Sequence, residues 1–253
     1  MVLSPAYAGG MLKHGGRMKM EQWIYDEFKH CGVDYSKAEL AEAYDERHQK
    51  FRDYEKEFKG MMEFLGIRNT ENKIMIDLGC GTGATAILAA PLFKAVYAVD
   101  VSDVMIEQAK EKSGSTAHNL TFVNEGFLTY RHEDELADLV ITKAAFHHLP
   151  DFWKQIALLQ INAMLKIGGL LYIHDVVFHF DPRDYVGTIN AWIAGFEKVA
   201  GEEFRQEVET HIRDEYSTFH WIVEGMLERA GFSIEKAKSP NDFLTEYACR
   251  KVR

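Results

Sequence analysis

Ile74-Met-Ile-Asp77-Leu-Gly79-Cys-Gly81-Thr-Gly83 is an apolar strand that ends in a carboxylate and runs into three alternating glycines, followed by the small-residue segment 84–90. The spacing predicts strand, tight turn and helix: glycines let the backbone turn sharply and approach a ligand, and the helix start directs unpaired amides there. Asp77 narrows the ligand, because a carboxylate at the strand tip repels a diphosphate and attracts the amino group of an amino-acid-bearing nucleoside. A second apolar strand, residues 95–99, ends in Asp100, whose carboxylate suits ribose hydroxyls. Gly79-x-Gly81-x-x-Ala84 also fits the relaxed dinucleotide fingerprint, so an NAD(P)-dependent oxidoreductase stays open as the alternative.

Further motifs follow in order. Asp100-Val101-Ser102-Asp103-Val104-Met105 opens a helix after the second strand; residues 120–123 form a third strand, followed by Glu125-Gly126-Phe127. Residues 137–142 are a fourth strand leading into Lys143 and His147-His148-Leu149-Pro150-Asp151. An apolar-periodic helix, 151–166, precedes Gly168-Gly169 and a fifth strand at 170–177. With these motifs, over residues 73–178 and again 217–252, the chain resembles the class I S-adenosylmethionine-dependent methyltransferases, and its HHLxD loop resembles the quinone-biosynthesis type.

The resemblance implies an α/β fold: a Rossmann-like, doubly wound, seven-stranded sheet with a closing antiparallel hairpin. It implies S-adenosylmethionine as cofactor, with Asp77, Gly79, Cys80, Gly81 and Gly83 at the methionine end and Asp100 and Val101 at the ribose. Met105, Gly126 and the Phe127 amide would surround adenine. The family's adenine-reading acid has become Gly126; Glu125 stands one position earlier, on the other side by strand alternation. Tyr44 or Arg52 would reach the methionine carboxylate, as N-terminal segments do in similar methyltransferases, and the Lys143 carbonyl would meet the amino group. A cofactor-binding protein without catalysis is a further alternative.

Methyl transfer needs alignment in a dry pocket, with no covalent residue, and a base only for an acceptor that must lose a proton. His147 and His148 sit where the methyl should emerge, and His220 lies at a helix start that can line the acceptor pocket. Cys80 reads as an apolar filler. His174, Asp175, His179 and Asp181 do not form a metal set, since an odd separation along a strand turns His174 and His179 to opposite faces, and no metal is expected.

A net charge of -10 over 253 residues disfavours nucleic acid, which needs clustered Lys and Arg, and favours a small-molecule methyl acceptor. Cys31, Cys80 and Cys249 are widely spaced and unpaired by motif, pointing to a reducing cytoplasm. No stretch has the apolar length of a membrane span, and Lys13, His14, Arg17 and Lys19 interrupt the first twenty residues, read as a flexible leader. Residues 21–72 read as an N-terminal helical segment, with Tyr44, Phe51, Phe58 and Leu65 seven apart predicting one long helix over 37–65. Residues 73–253 form the methyltransferase domain. Within it, 181–216 is an insertion of two amphipathic segments, with Trp192, Phe196 and Val199 on one face, read as a lid over the site; homodimer formation through the same faces is the rival reading. A helix at 219–230 and two strands at 232–237 and 243–252 close the chain as a hairpin, whereas a nicotinamide fold would end in a parallel sixth strand.

Overall fold

The computed structural model describes residues 22–29, 31–32, 52–114 and 118–253. The leader and Tyr44 lie outside the described residues. Among the described residues the first helix is α1 (Tyr54–Leu65); residues 37–51 of the predicted long helix lie outside them, and the helix does not run through Asp53, which is extended and whose carboxylate accepts the Lys56 N–H as a cap. Residues 22–29 form turns and bends where a helical segment was expected.

Seven strands then build one sheet in the order β3-β2-β1-β4-β5-β8-β7: β1 (Ile74–Leu78), β2 (Ala95–Val99), β3 (Leu120–Val123), β4 (Ala137–Lys143), β5 (Leu165–Phe178), β7 (Phe232–Lys238) and β8 (Leu244–Lys251). β1 to β5 run parallel, and β8 enters antiparallel between β5 and β7. That antiparallel entry is the predicted hairpin and removes the parallel sixth strand of the nicotinamide alternative. A two-residue strand, β6 (Thr218–Phe219), pairs beside the end of β5. β5 begins five residues before its predicted start, at Leu165, pairing with Ala137; the register shifts between Ala137 and Leu139, so the Gly168-Gly169 turn becomes an irregularity inside the strand.

Both sheet faces are covered, so the central strands are apolar on both sides. Ile74, Ile76 and Leu78 face α4 (Asp151–Met164) and α7 (His220–Arg229) through Leu158, Ile161, Val223 and Leu227. Met75 faces the opposite layer, formed by α1 and α2 (Ala84–Ala89), with Phe58, Met61 and Ala86. Alternation therefore puts Asp77 on the Met75 side, at the carboxyl end of a strand buried along its whole length. α3 (Asp103–Ser113) is capped by Ser102, whose Oγ accepts the Met105 N–H.

The insertion forms α5 (Tyr185–Ala200) and α6 (Glu202–Asp214) as expected. α5 buries no residue: Trp192 stacks on Phe243 at 4.2 Å, while Val199, assigned to the same covered face, is 80% exposed. Among the described residues, no helix is long and apolar enough to cross a membrane.

Candidate functional site

The parallel strands β1, β2 and β4 end at one rim, and a cavity of about 350 Å³ opens there, a size suited to a small ligand. Its lining includes Arg52, Asp77, Gly79, Cys80, Gly81, Asp100, Val101, Met105, Gly126, Phe127, Lys143 and His148. Residues named from widely separated motifs thus meet around one space. Gly83 and Glu125 are not in the lining; Gly83 instead lets α2 approach α3, since a Cβ there would stand 2.9 Å from that of Ala109.

Gly79 has φ 73°, and an added Cβ would lie 2.3 Å from the Ala145 Cβ, so the turn needs glycine for both conformation and space. The Gly79 and Cys80 amides donate to the Val99 carbonyl, tying the loop to β2. Asp100 completes the tie: Oδ2 accepts the Gly81 N–H at 2.8 Å and Oδ1 accepts the Ser102 N–H at 2.9 Å. Burial raises the Asp100 carboxyl above its ordinary range, and these two amides oppose the rise. The Cys80 thiol is pushed up by burial and then by the neighbouring carboxylates, which makes it inert.

Asp77 is 3% exposed, and burial pushes its carboxyl up to about 7, with Lys143 pulling down and Asp100 adding to the rise. The Lys143 ammonium is turned inward rather than outward: Nζ donates to Glu57 Oε2 at 3.0 Å and lines the cavity. Arg52 binds the same carboxylate through Nε at 2.8 Å and Nη2 at 2.6 Å. Burial works against the charge of Glu57, but Arg52 and Lys143 outweigh it and hold the carboxyl at about 2. This end of the cavity therefore carries two cations around one anion, next to a carboxyl poised near neutrality.

Around Gly126 and Phe127 the structure differs from the expected pattern. Glu27, which no motif flagged, is 9% exposed and reaches in from the N-terminal segment. Its Oε1 accepts the Thr129 N–H at 2.8 Å and the Thr129 hydroxyl at 2.7 Å, and both oxygens accept the Leu128 N–H. A Cβ on Gly126 would lie 2.4 Å from Glu27 Oε2, so the Glu27 carboxylate occupies the space an aspartate at 126 would fill. The turn carries a glycine, and a distant segment puts a carboxylate beside it.

At the other end, His148 lines the cavity, and burial followed by the neighbouring His147 lowers its imidazole to about 3, leaving it neutral. His147 does not line the cavity: it is buried behind His148, with Nδ1 2.5 Å from Asp175 Oδ1. Asp175 Oδ2 accepts the amides of Ala145, Phe146 and His147, fixing the turn that carries both histidines. His220, assigned to the acceptor pocket, stacks on His179 at 4.2 Å and is not in the lining; it follows β6, which pairs with the last residues of β5. The lid reading also needs correction: among the described residues, the cavity's cover is Tyr25, Glu27, Phe28, Lys29 and Cys31, and nothing from 181–216 lines it. The insertion meets the site from behind, where Glu215 Oε2 stands 3.3 Å from His147 Nε2.

The known proteins similar to this chain agree with that architecture. Residues 75–169 match the family described as a methyltransferase domain. An uncharacterised methyltransferase of Geobacillus thermodenitrificans is 26% identical over 201 residues, spanning 78% of this chain and 87% of the relative. Among solved structures, an S-adenosylmethionine-dependent methyltransferase from Aquifex aeolicus shares the fold with a TM-score of 0.60 at 18% identity, covering 85% of this chain and 99% of that one. The N-methyltransferase NodS of Bradyrhizobium japonicum, solved with S-adenosyl-L-homocysteine, does so with a TM-score of 0.57 at 16% identity, covering 80% and 90%. The methyltransferase-domain match, the relatives named as methyltransferases and the shared fold together support a class I S-adenosylmethionine-dependent methyltransferase.

Proposed function

We propose that the cavity binds S-adenosylmethionine and that the protein transfers its methyl group in line to a small-molecule acceptor entering on the His148 side. The observation that carries this reading is Asp77: a carboxyl at the end of β1, facing the cavity beside the Gly79 and Gly81 turn, suits an ammonium and opposes a diphosphate. The cofactor supplies an activated methyl group on a sulfonium. The chain's own task is to hold and to dry: Arg52 and Lys143 offer cations for an amino-acid carboxylate, Asp100 stands at the ribose, and Met105 and Phe127 wall the base. His148, neutral with its imidazole near 3, is a weak proton acceptor at neutral pH and serves to position the acceptor. A cytoplasmic location belongs to the same reading, supported by three free thiols at Cys31, Cys80 and Cys249.

Titration calorimetry with S-adenosylhomocysteine tests it, and the pH dependence tests Asp77. In the free protein Asp77 is protonated below about 7, whereas an ammonium ligand favours the ionised form, so binding releases a proton there. Affinity is expected to climb by up to about tenfold per pH unit between pH 5.5 and 7 and to flatten above. Affinity that is flat or falling over that range removes Asp77 from the amino-group site. NADH binding without S-adenosylhomocysteine binding overturns the reading.

Glu27 takes over the adenine amino group in this proposal, its carboxylate standing where an aspartate at 126 would. Glu27→Gln is expected to weaken S-adenosylhomocysteine binding by about 1.5–3 kcal/mol, the range for hydrogen bonds to charged groups. Because Glu27 also holds the Leu128 and Thr129 amides, the decisive readout is selectivity. The natural protein should prefer the adenosyl ligand over its inosyl analogue, which carries a carbonyl in place of the amino group, and Glu27→Gln should erase that preference. An unchanged preference would leave Glu27 as a loop-holding residue only.

A further inference from the structure

Behind His148 the fold gathers groups that methyl transfer does not require. One ligand atom from each of His147, His148 and Glu215 lies within 4.8 Å of the others, and His147 Nε2 is 3.3 Å from Glu215 Oε2. A zinc ion bonded tetrahedrally at about 2.1 Å holds neighbouring ligand atoms roughly 3.4 Å apart, so one pair already has that spacing and the third needs about 1 Å of side-chain movement. Each end of the pair is oriented from outside. Asp175 takes His147 Nδ1 and so turns Nε2 toward Glu215, the arrangement in which a carboxylate fixes a metal-binding imidazole. On the other side, His211 Nδ1 pairs with Glu215 Oε2, and His211 Nε2 lies 2.7 Å from Ser217 Oγ.

The charge balance points the same way. The side chains of Asp175 and Glu215 are 2% and 4% exposed, and both contact the one imidazole of His147. Two carboxylates in so little water need positive partners, and His147 and His211, which pair with them, lie within the same cluster. Lys154 is close but committed elsewhere, with Nζ bonded to Asp151 Oδ1 and to the Tyr216 carbonyl. A divalent cation would balance both carboxylates and let the imidazoles stay neutral.

We propose that His147, His148 and Glu215 form a divalent-metal site at the acceptor end of the cavity, a His₂Glu set for zinc with Asp175 as the outer partner of His147. Two imidazoles and one carboxylate suit zinc and leave a position open for a further ligand. His148 is the member that lines the cavity, so the open position belongs on that side. This departs from the sequence-based expectation of no metal, because Glu215 lies 67 residues beyond His148 in the chain and only the α6 insertion returns it. An acceptor hydroxyl or thiol bound at the open position would lose its proton to solvent more readily before its oxygen or sulfur takes the methyl group. That acceptor class rests on the cofactor reading above; metal binding itself does not.

The test uses the full, tag-free chain without cofactor. After equilibration with zinc chloride and gel filtration, elemental analysis is expected to find about one zinc per chain, and Glu215→Gln or His148→Ala to lower zinc affinity at least about tenfold. Less than about 0.1 zinc per wild-type chain overturns the site, as does wild-type retention by both variants, which would put the metal elsewhere. Cobalt substitution of the wild-type protein keeps the question answerable if a variant fails to fold. A strong visible spectrum of a four- or five-coordinate nitrogen and oxygen site supports the assignment, and only the faint bands of hydrated cobalt overturn it. Zinc retention and S-adenosylhomocysteine titration are read separately, so failure of either leaves the other standing.

Discussion

Asp175→Ala is expected to cost the fold about 3–5 kcal/mol, the range for stripping one partner from a buried charged network. The side chain is 2% exposed and holds the turn after β4 at four points: the amides of Ala145, Phe146 and His147, and the ring of His147. That turn is under strain, since Ala144 sits at φ 51°, a left-handed conformation costing roughly 1–2 kcal/mol for a residue with a Cβ. Without the carboxylate, three amides lose their acceptor, and only the Ala144 bond to the His174 carbonyl and the packing of Phe146 still oppose the strain. For a chain of this size each kcal/mol lowers Tm by about 2–4 °C, so thermal unfolding should shift by roughly 6–20 °C. A loss under about 1 kcal/mol would mean that packing around Phe146 holds the turn and the carboxylate is incidental. Asp175→Asn should fall between, because its amide turns one donor toward backbone donors.

Gly79→Ala should be nearly as damaging, for a reason in which glycine matters twice. The left-handed φ of 73° contributes about 1–2 kcal/mol once a Cβ is present, and the 2.3 Å approach to the Ala145 Cβ adds roughly 1–3 kcal/mol of overpacking. Neither atom can swing aside, since both are fixed to backbone and Ala145 is itself held by Asp175. Urea unfolding measures the sum, and S-adenosylhomocysteine affinity should fall with it because the displaced backbone lines the cavity. Gly66→Ala is the control: at φ 65° and ψ 18° it is left-handed, but no atom lies within 4 Å of the new Cβ, so only the conformational cost should appear. Equal losses at the two positions would mean that the contact with Ala145 relaxes freely.

These two positions show how far local pattern reaches. Gly79 was named from its neighbours in the chain, because a strand, an acid and alternating glycines form one contiguous object whose steric logic is local. Asp100, Met105 and Phe127 were legible for the same reason, each following its strand by a few residues. The closing hairpin was also readable, since two alternating strands flank Ser239-Pro240-Asn241-Asp242, whereas the placing of β8 between β5 and β7 came from the structure. The helix boundary at Asp53 was missed because a seven-residue apolar repeat continues smoothly across a capping residue.

Sequence alone determined the doubly wound class, the strand-end loops and most of their residues that gather at the cavity, Gly83, Glu125 and His147 excepted, because period-two burial and glycine turns are written in adjacent residues. Only the tertiary structure decided what closes the cavity and what stands behind it. Glu27 fills the gap left at Gly126, Glu57 draws Arg52 and Lys143 together, Glu215 comes back to His147, and His220 is carried away. Each of these partners is distant in the chain, and a carboxylate looks the same in sequence whether it faces water or is buried against a histidine. Desolvation and charge pairing, which give those groups their chemistry, exist only once the layers have packed.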